Sequence, residues 1–450
     1  MTHTASTRLR AGVALAAIVA QLGLCAGTAR AFCGFYVAKA DAKLFNKSSK
    51  VVLARAGDET AITMASDYEG EPNEFALVVP VPRFIKKEQI SVVDPAIVDH
   101  LDAYTAPRLV EYFDPDPCWL PPQSSVMSYA AKQAAAIPAP PPRAAYRGVK
   151  VEAQYDIAEY DVSILSAEDS AGLINWLTDN GYKIPAGAEP VVGSYIKQKM
   201  HFFVAKVNVD RMQWLGRAFL RPLQVRYETA KFMLPLRLGT VNANGPQDLI
   251  VFALSKRGRV EATNYRTVKV PSDVHVPLFV KGDFANFYRA AFDQAVVREN
   301  MRAVFVEYAW DMGWCDPCAA DPMSDREMTT LGTASSGNSN GGNTITIRPS
   351  ASGGATNAYV TRLHVRYDAK SFPEDLTFIE TADRENFQGR YIMQHPYEGK
   401  ISCSVGESYR ASLPARFEQE ARTLADLTGW PLKDIATRMA ANGQATPDAK

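Results

Sequence analysis

The residues best placed to do chemistry are Trp314-Cys315-Asp316-Pro317-Cys318. In a thioredoxin-like arrangement, a Trp-Cys-x-Pro-Cys segment follows a buried strand and opens a helix. The helix N-terminus stabilises the first thiolate, which attacks a disulfide, and the second thiol resolves the mixed intermediate. Cys315 would be the nucleophile and Cys318 the resolving thiol. The apolar run Val304-Phe-Val-Glu-Tyr308 stands where the strand belongs. The chain downstream argues against this use. Asp321-Pro322 interrupts the helix that should continue, and an interior proline costs about 3 kcal/mol. Ser324 with Glu327 makes a better helix start, as a capping box. The Gly/Ser/Asn-rich stretch from Thr329 displaces the helix and strand that should come next. A structural disulfide, within the pair or to Cys33, Cys118 or Cys403, is therefore the expectation. One Cys-x-x-Cys is half a zinc site, and no second pair completes it.

No other constellation converges. Asp116-Pro-Cys118 repeats the Asp316-Pro-Cys318 phrase, and its Asp suits a turn. His100, His201, His275, His364 and His395 are isolated in sequence. Asp114, Asp116, Asp316 and Asp321 offer oxygens, but no calcium loop is present. Gly-x-Ser-x-Gly, Ser-x-x-Lys with its partners, and His-Glu-x-x-His are all absent. A hydrolase would need residues assembled only by the fold. Phe113, Trp119, Trp310 and Trp314 gather beside the cysteine turns, where core packing is the expectation and a binding groove the alternative. No cofactor, metal or catalytic residue beyond the Cys315–Cys318 pair is implied.

The elements that must position these residues read as α+β: antiparallel meanders packed with several helices, plus two flexible low-complexity insertions. Strands are expected at Val51–Ala54, Thr60–Met64 and Phe75–Val81, the last being the most apolar and so central. Asp94-Pro95 starts a helix with Ile97, Val98, Leu101 and Tyr104 on one face. Pro107 ends it or starts a second. A helix near Glu168–Asn180 and a strand over Met200–Val207 follow. A second meander spans Leu223–Val270. Asp283 is expected to cap a helix carrying Phe287, Ala291, Phe292 and Val296, and Ala303–Tyr308 is a strand. Leu363–Tyr367 and Tyr391–His395 are strands, and the tail from Leu413 is helical. Leu223-Gln-Val-Arg-Tyr-Glu228 weakly echoes Leu363-His-Val-Arg-Tyr-Asp368.

Arg8 and Arg10, the apolar stretch Ala11–Ala20 and the small-x-small close Ala29-Arg-Ala31 have the order of a secretory signal cleaved after Ala31. Removing residues 1–31, which hold three Arg and no acid, leaves 46 basic against 49 acidic residues. A near-neutral chain without a basic tract does not suit nucleic acid. No later segment is long and apolar enough to span a bilayer. The expected organisation is 1–31 signal, 32–119 β-meander plus helix, 120–147 Pro/Ala-rich linker, 148–328 central α+β lobe, 329–358 flexible loop and 359–450 C-terminal β segment with a helical tail.

Cys33-Gly-Phe-Tyr-Val-Ala-Lys-Ala-Asp, Phe75-Ala-Leu-Val-Val-Pro-Val-Pro, Tyr112-Phe-Asp-Pro-Asp-Pro-Cys118, Trp314-Cys-Asp-Pro-Cys-Ala-Ala-Asp-Pro322, Thr361–Asp368 and Asn386-Phe-Gln-Gly-Arg-Tyr391 together resemble a bacterial exported family, the domain of unknown function DUF 2330. The resemblance implies an exported protein with cysteines, and it brings no catalytic residues. The leading expectation is a periplasmic or secreted, non-catalytic protein that binds an envelope partner or ligand. Thiol–disulfide exchange is second and hydrolysis third.

Overall fold

Val51 to Ala54 carries no polar side chain because both faces of that strand are covered. Val51 and Leu53 enter one core, Val52 and Ala54 another, as a period of two requires. Phe203 and Phe202 divide in the same way between two cores. The computed structural model describes residues 35–39, 45–69, 75–119, 150–180, 182–184, 187–215, 220–241, 243, 245–313, 320–333 and 358–445. Residues 120–149 and 334–357, where the two insertions are expected, lie outside them.

The fold is α+β, as expected. A nine-stranded mixed sheet runs Arg266–Lys269, Ala303–Asp311, Tyr359–Tyr367, Gln247–Ser255, Phe45–Ala56, Glu59–Glu69, Leu223–Glu228, Ile90–Val92, with Phe387–Gln388 beside Ala303–Asp311. A six-stranded antiparallel sheet runs Lys150–Ile157, Tyr160–Ser166, His201–Val207, Phe75–Val81, Phe35–Lys39, Tyr182–Lys183. Leu77, Val79, Ile164 and Phe203 of the second pack with Val51, Ile62, Val225 and Leu363 of the first in one core. Helices Pro95–Thr105 and Asp325–Thr330 cover the outer face of the large sheet. Helices Ser170–Asp179 and Ala188–Lys197 cover that of the smaller one. The layers are thus helix, sheet, sheet, helix.

Several local expectations hold. Asp94 accepts from the Ala96 N–H at 3.0 Å, with Pro95 at the first helical position. The Ser324 hydroxyl accepts from the Glu327 N–H at 3.3 Å, and Glu327 accepts from the Ser324 N–H at 2.8 Å, completing the capping box. Phe75–Val81 is interior to its sheet.

Other readings are corrected. Thr329 and Thr330 close the helix Asp325–Thr330 and do not begin a loop. Phe75–Val81 does not extend the hairpin before it but enters the other sheet. Leu223–Val270 is not a meander: Leu223–Glu228 lies between Glu59–Glu69 and Ile90–Val92, and Gln247–Ser255 pairs parallel with Phe45–Ala56. Local alternation sets a strand's faces, whereas its neighbours are chosen by distant apolar surface. Pro107 leads into the strand Arg108–Phe113, which pairs parallel with Arg390–His395. Asp283 precedes the helix Phe284–Arg298 without capping it, because its carboxylate instead accepts from Arg438 at 2.7 Å and Asn286 at 2.6 Å.

The chain ends in two helices, Ser404–Thr428 and Leu432–Ala441, packed on Phe287, Ala291 and Tyr391. Gly429, in the left-handed region at φ +71°, donates to the Ala425 carbonyl at 2.8 Å and stops the first helix. The disulfide Cys118–Cys403, with Cα atoms 5.8 Å apart, ties the start of that helix to residues beyond Arg108–Phe113. Gly406 admits the bridge, since a Cβ there would meet Ile401 at 2.1 Å and both sulfurs at 3.3 Å. Inside this layer Glu420, 3 % exposed, accepts from Gln444 at 2.7 Å, and Arg416 Nε stands 3.6 Å off.

Two predictions follow from this layer. The bridge closes a loop over a sequence separation of 285 residues, so Cys403→Ser should cost about 2–5 kcal/mol. Urea unfolding of the oxidised wild type and the variant measures this, and identical midpoints would show that the bridge carries no stability. Burial pushes the Glu420 carboxyl up to about 7 against the pull of Arg416. A raised carboxyl contributes stability fully present below its ordinary value near 4.5, and that contribution is lost as pH rises through about 7. Glu420→Gln should therefore gain up to about 3 kcal/mol on wild type at pH 8 and nothing at pH 4. Parallel stability–pH curves would contradict the assignment.

Candidate functional site

Ala31, Cys33, Trp314, Cys315, Asp316 and Cys318 lie outside the described residues. Among the described residues, the next helix after Ala303–Asp311 begins at Asp325. Cys118 and Cys403 are joined to each other. Asp116 accepts from the Cys118 N–H at 2.8 Å, closing the turn its sequence suggests. Asp114 accepts from Tyr409 at 2.5 Å, Arg416 at 2.6 Å and Gln394 at 2.7 Å. Phe113 and Trp119 do not pack into a core: they are 70 % and 63 % exposed, with Phe113 stacked on His395 at 4.4 Å. Among the described residues, no group of three or more His, Cys, Asp or Glu converges as a metal set.

The structure pairs three of the predicted histidines with acids that the sequence reading left unlinked: His100 with Glu327 at 2.8 Å, His395 with Glu111 at 2.9 Å, and His364 within a larger cluster. Along Tyr359–Tyr367, Leu363, Val365 and Tyr367 face the core between the sheets, so Arg362, His364 and Arg366 face the helices. On the neighbouring strand the register slips between Val306 and Tyr308. Glu307 is the extra residue of this β-bulge, and its side chain is turned to the same outer face. Glu307, fully buried, accepts from Arg362 Nε at 2.5 Å, pairs with His364 Nδ1 at 2.7 Å and takes the Tyr288 hydroxyl. Arg362 continues to Asp102 at 2.5 Å, and Asp102 to Lys50 at 2.7 Å. Arg366 holds Asp248 at 2.7 Å and Asp293 at 2.5 Å, and Phe292 stacks on His364 at 3.6 Å.

Burial would push the Glu307 carboxyl up, but His364 and Arg362 overcome it and hold it at about 2. Burial would likewise lower His364, and Glu307 and Asp248 raise it instead. These groups neutralise one another beneath two helices, so the arrangement seats Pro95–Thr105 and Phe284–Arg298 on the sheet. Glu307→Gln would leave Arg362 and His364 without their shared anion. It should cost about 3–5 kcal/mol, and a loss under about 1 kcal/mol in urea titration at pH 7 would refute the structural role. In the wild type this contribution is present above the ordinary carboxylate range and is lost as pH falls through about 2.

Polar groups open to a ligand lie elsewhere. A cleft of about 450 Å³ forms between Gln198, just past helix Ala188–Lys197, and a small sheet of Met233–Leu234, Leu376–Glu380 and Val260–Ala262. Phe232, Met233 and Phe378 give it an apolar wall, with the two rings 5.3 Å apart. Lys231, Arg237, Glu374 and Asp375 bring two charges of each sign, and Gln198, Asn264 and Thr377 add neutral polar groups. Asp375 Oδ1 accepts from the Tyr195 hydroxyl at 2.5 Å and from the Leu236 and Arg237 N–H groups at 2.9 and 3.1 Å. These donors fix its position. Burial nevertheless pushes its carboxyl up, and Arg237 opposes this only in part. The Tyr195 phenol is also driven well up by burial and by Asp375, so it is no nucleophile near neutral pH. Among the described residues no His, Cys or Ser lines the cleft, which offers recognition rather than a nucleophile–base pair.

The match to the bacterial family described as an uncharacterized protein conserved in bacteria (DUF2330) spans residues 27–379. The chain belongs to that family. Every residue of the DUF2330 cleft lies within the matched span, whereas the Asn386–Tyr391 motif and the last two helices lie beyond it. No curated protein and no solved structure matches the chain. The sequence reading missed Asp375 and Tyr195, which no local pattern marks. The alternation Arg362-Leu-His-Val-Arg366 did hold a signal: three cationic side chains on one strand face require buried acids opposite them.

Proposed function

We propose that this DUF2330 protein is an exported, non-catalytic binding protein of the bacterial envelope, and that the Asp375 cleft is its ligand site. The cleft carries this reading. Its volume suits a small molecule, and its walls pair an apolar surface with charged groups that no internal network neutralises. Among the described residues the Lys231 ammonium has no partner, and the Glu374 carboxylate receives only a long 3.4 Å contact from Asn264. The buried acids and bases of the large sheet, by contrast, are fully engaged. The signal-like start and the Cys118–Cys403 bridge support export, since such bridges persist in oxidising compartments. Cys315 and Cys318 serve as structural sulfurs in this reading.

The full chain, expressed with its first 31 residues, should appear in the periplasm with Phe32 as its N-terminus, read by fractionation and intact mass. A full-length cytoplasmic product would overturn export. Thermal-shift screening of the exported protein against amino acids, peptides, sugars, dicarboxylates and polyamines should find a stabilising class whose effect disappears in Asp375→Asn. A screen without any stabilising compound would overturn the binding role.

A further inference from the structure

Two acids and two bases in one small cleft select by charge pattern. A phosphate-bearing ligand would meet Glu374 and Asp375, and a polyamine would meet Lys231 and Arg237. Each would gain one pair of contacts and pay for the other in repulsion and desolvation. A molecule that is neutral overall and carries both charges satisfies all four groups. The wall of Phe232 and Phe378 asks for an apolar body between those charges. Asp375 is held by three donors on one oxygen, so its carboxylate is placed before any ligand arrives.

We propose that the cleft binds a zwitterionic short peptide, its ammonium on Asp375 and Glu374, its carboxylate on Arg237 and Lys231, and its apolar side chains on Phe232 and Phe378. This rests on the reading of the cleft as the ligand site. The ammonium supplies the cation that the buried Asp375 carboxyl lacks, and the rings supply sequence-tolerant apolar contact. Recognition of both termini makes the distance between them the main selector, favouring peptides short enough for a cleft of about 450 Å³ over longer chains.

Isothermal titration of the exported protein with L-leucyl-L-phenylalanine tests this, alongside its N-acetyl and C-terminal amide forms. The unmodified dipeptide should bind, and each blocked form should bind at least about tenfold more weakly, the loss of one charge-assisted contact. Asp375→Asn keeps an oxygen for the Tyr195, Leu236 and Arg237 donors and should remain folded while losing at least tenfold in affinity. Lys231→Ala alters an exposed side chain and should show the same loss. Equal binding of the blocked forms, or dipeptide binding unchanged in both variants, would overturn the proposal. If the dipeptide fails while a sugar or dicarboxylate binds and Asp375→Asn abolishes it, the peptide class falls and the ligand site stands. If nothing in the screen binds, both fall.

Discussion

One extra residue in one strand conditions much of this structure. Without the bulge, the alternation that puts Val304 and Val306 between the two sheets and Phe305 and Glu307 outside them would carry Tyr308 inward and Ala309 outward. The extra residue leaves Glu307 and Tyr308 both on the outer face, where a buried carboxylate needs partners. The slipped register sets Glu307 beside Arg362 and His364. It also leaves the Glu307 carbonyl to accept from Gly389 at 2.7 Å, and a Cβ at Gly389 would come within 3.3 Å of that oxygen. The strand Arg390–His395 starts from that contact and pairs with both Arg108–Phe113 and Val274–His275. Helix seating, sheet register and the third small sheet therefore share one backbone irregularity.

The same residue types behave oppositely at the two polar places in the molecule. Along the outer face of the large sheet, alternating charges from Lys50 to Asp293 leave no group unanswered, so burial costs are offset by geometry. In the cleft, Asp375 is buried almost as deeply, at 8 % exposed, but its nearest donors are neutral: a phenol and two amides. Neutral donors stabilise a carboxylate less than a guanidinium does, and its upward shift follows. A closed network specifies a fold. An incompletely balanced group at an open surface is what a ligand can complete.

What the sequence made legible was local. Asp94, Ser324 and Glu327 announced helix starts because capping involves residues two or three apart. Val51–Ala54 announced a strand and Phe75–Val81 a central, buried one, because two covered faces leave no room for polar side chains. Strand neighbours were not legible: Gln247–Ser255 pairs with Phe45–Ala56 across about half the chain, and nothing in either segment encodes that choice. The cleft was hidden for the same reason, since Tyr195, Phe232 and Asp375 meet only after three separate elements have packed. Phe113 and Trp119 misled because aromatic residues beside cysteines read as core, and here a strand end at the disulfide leaves them in solvent.

The family boundary adds a physical division to this picture. The matched span, 27–379, contains both large sheets' principal strands, the Glu307 network and the complete cleft. The C-terminal helices beyond it add a separate apolar layer built on Phe287 and Tyr391, and the disulfide fastens that layer to Cys118 inside the span. Ion pairs from Arg416 to Asp114 and from Arg438 to Asp283 fasten it as well. The Asp375 cleft draws none of its walls from that layer. It is lined instead by Gln198, Arg237, Asn264 and the small sheet with its flanking residues, so recognition and C-terminal stability are separable properties of the fold.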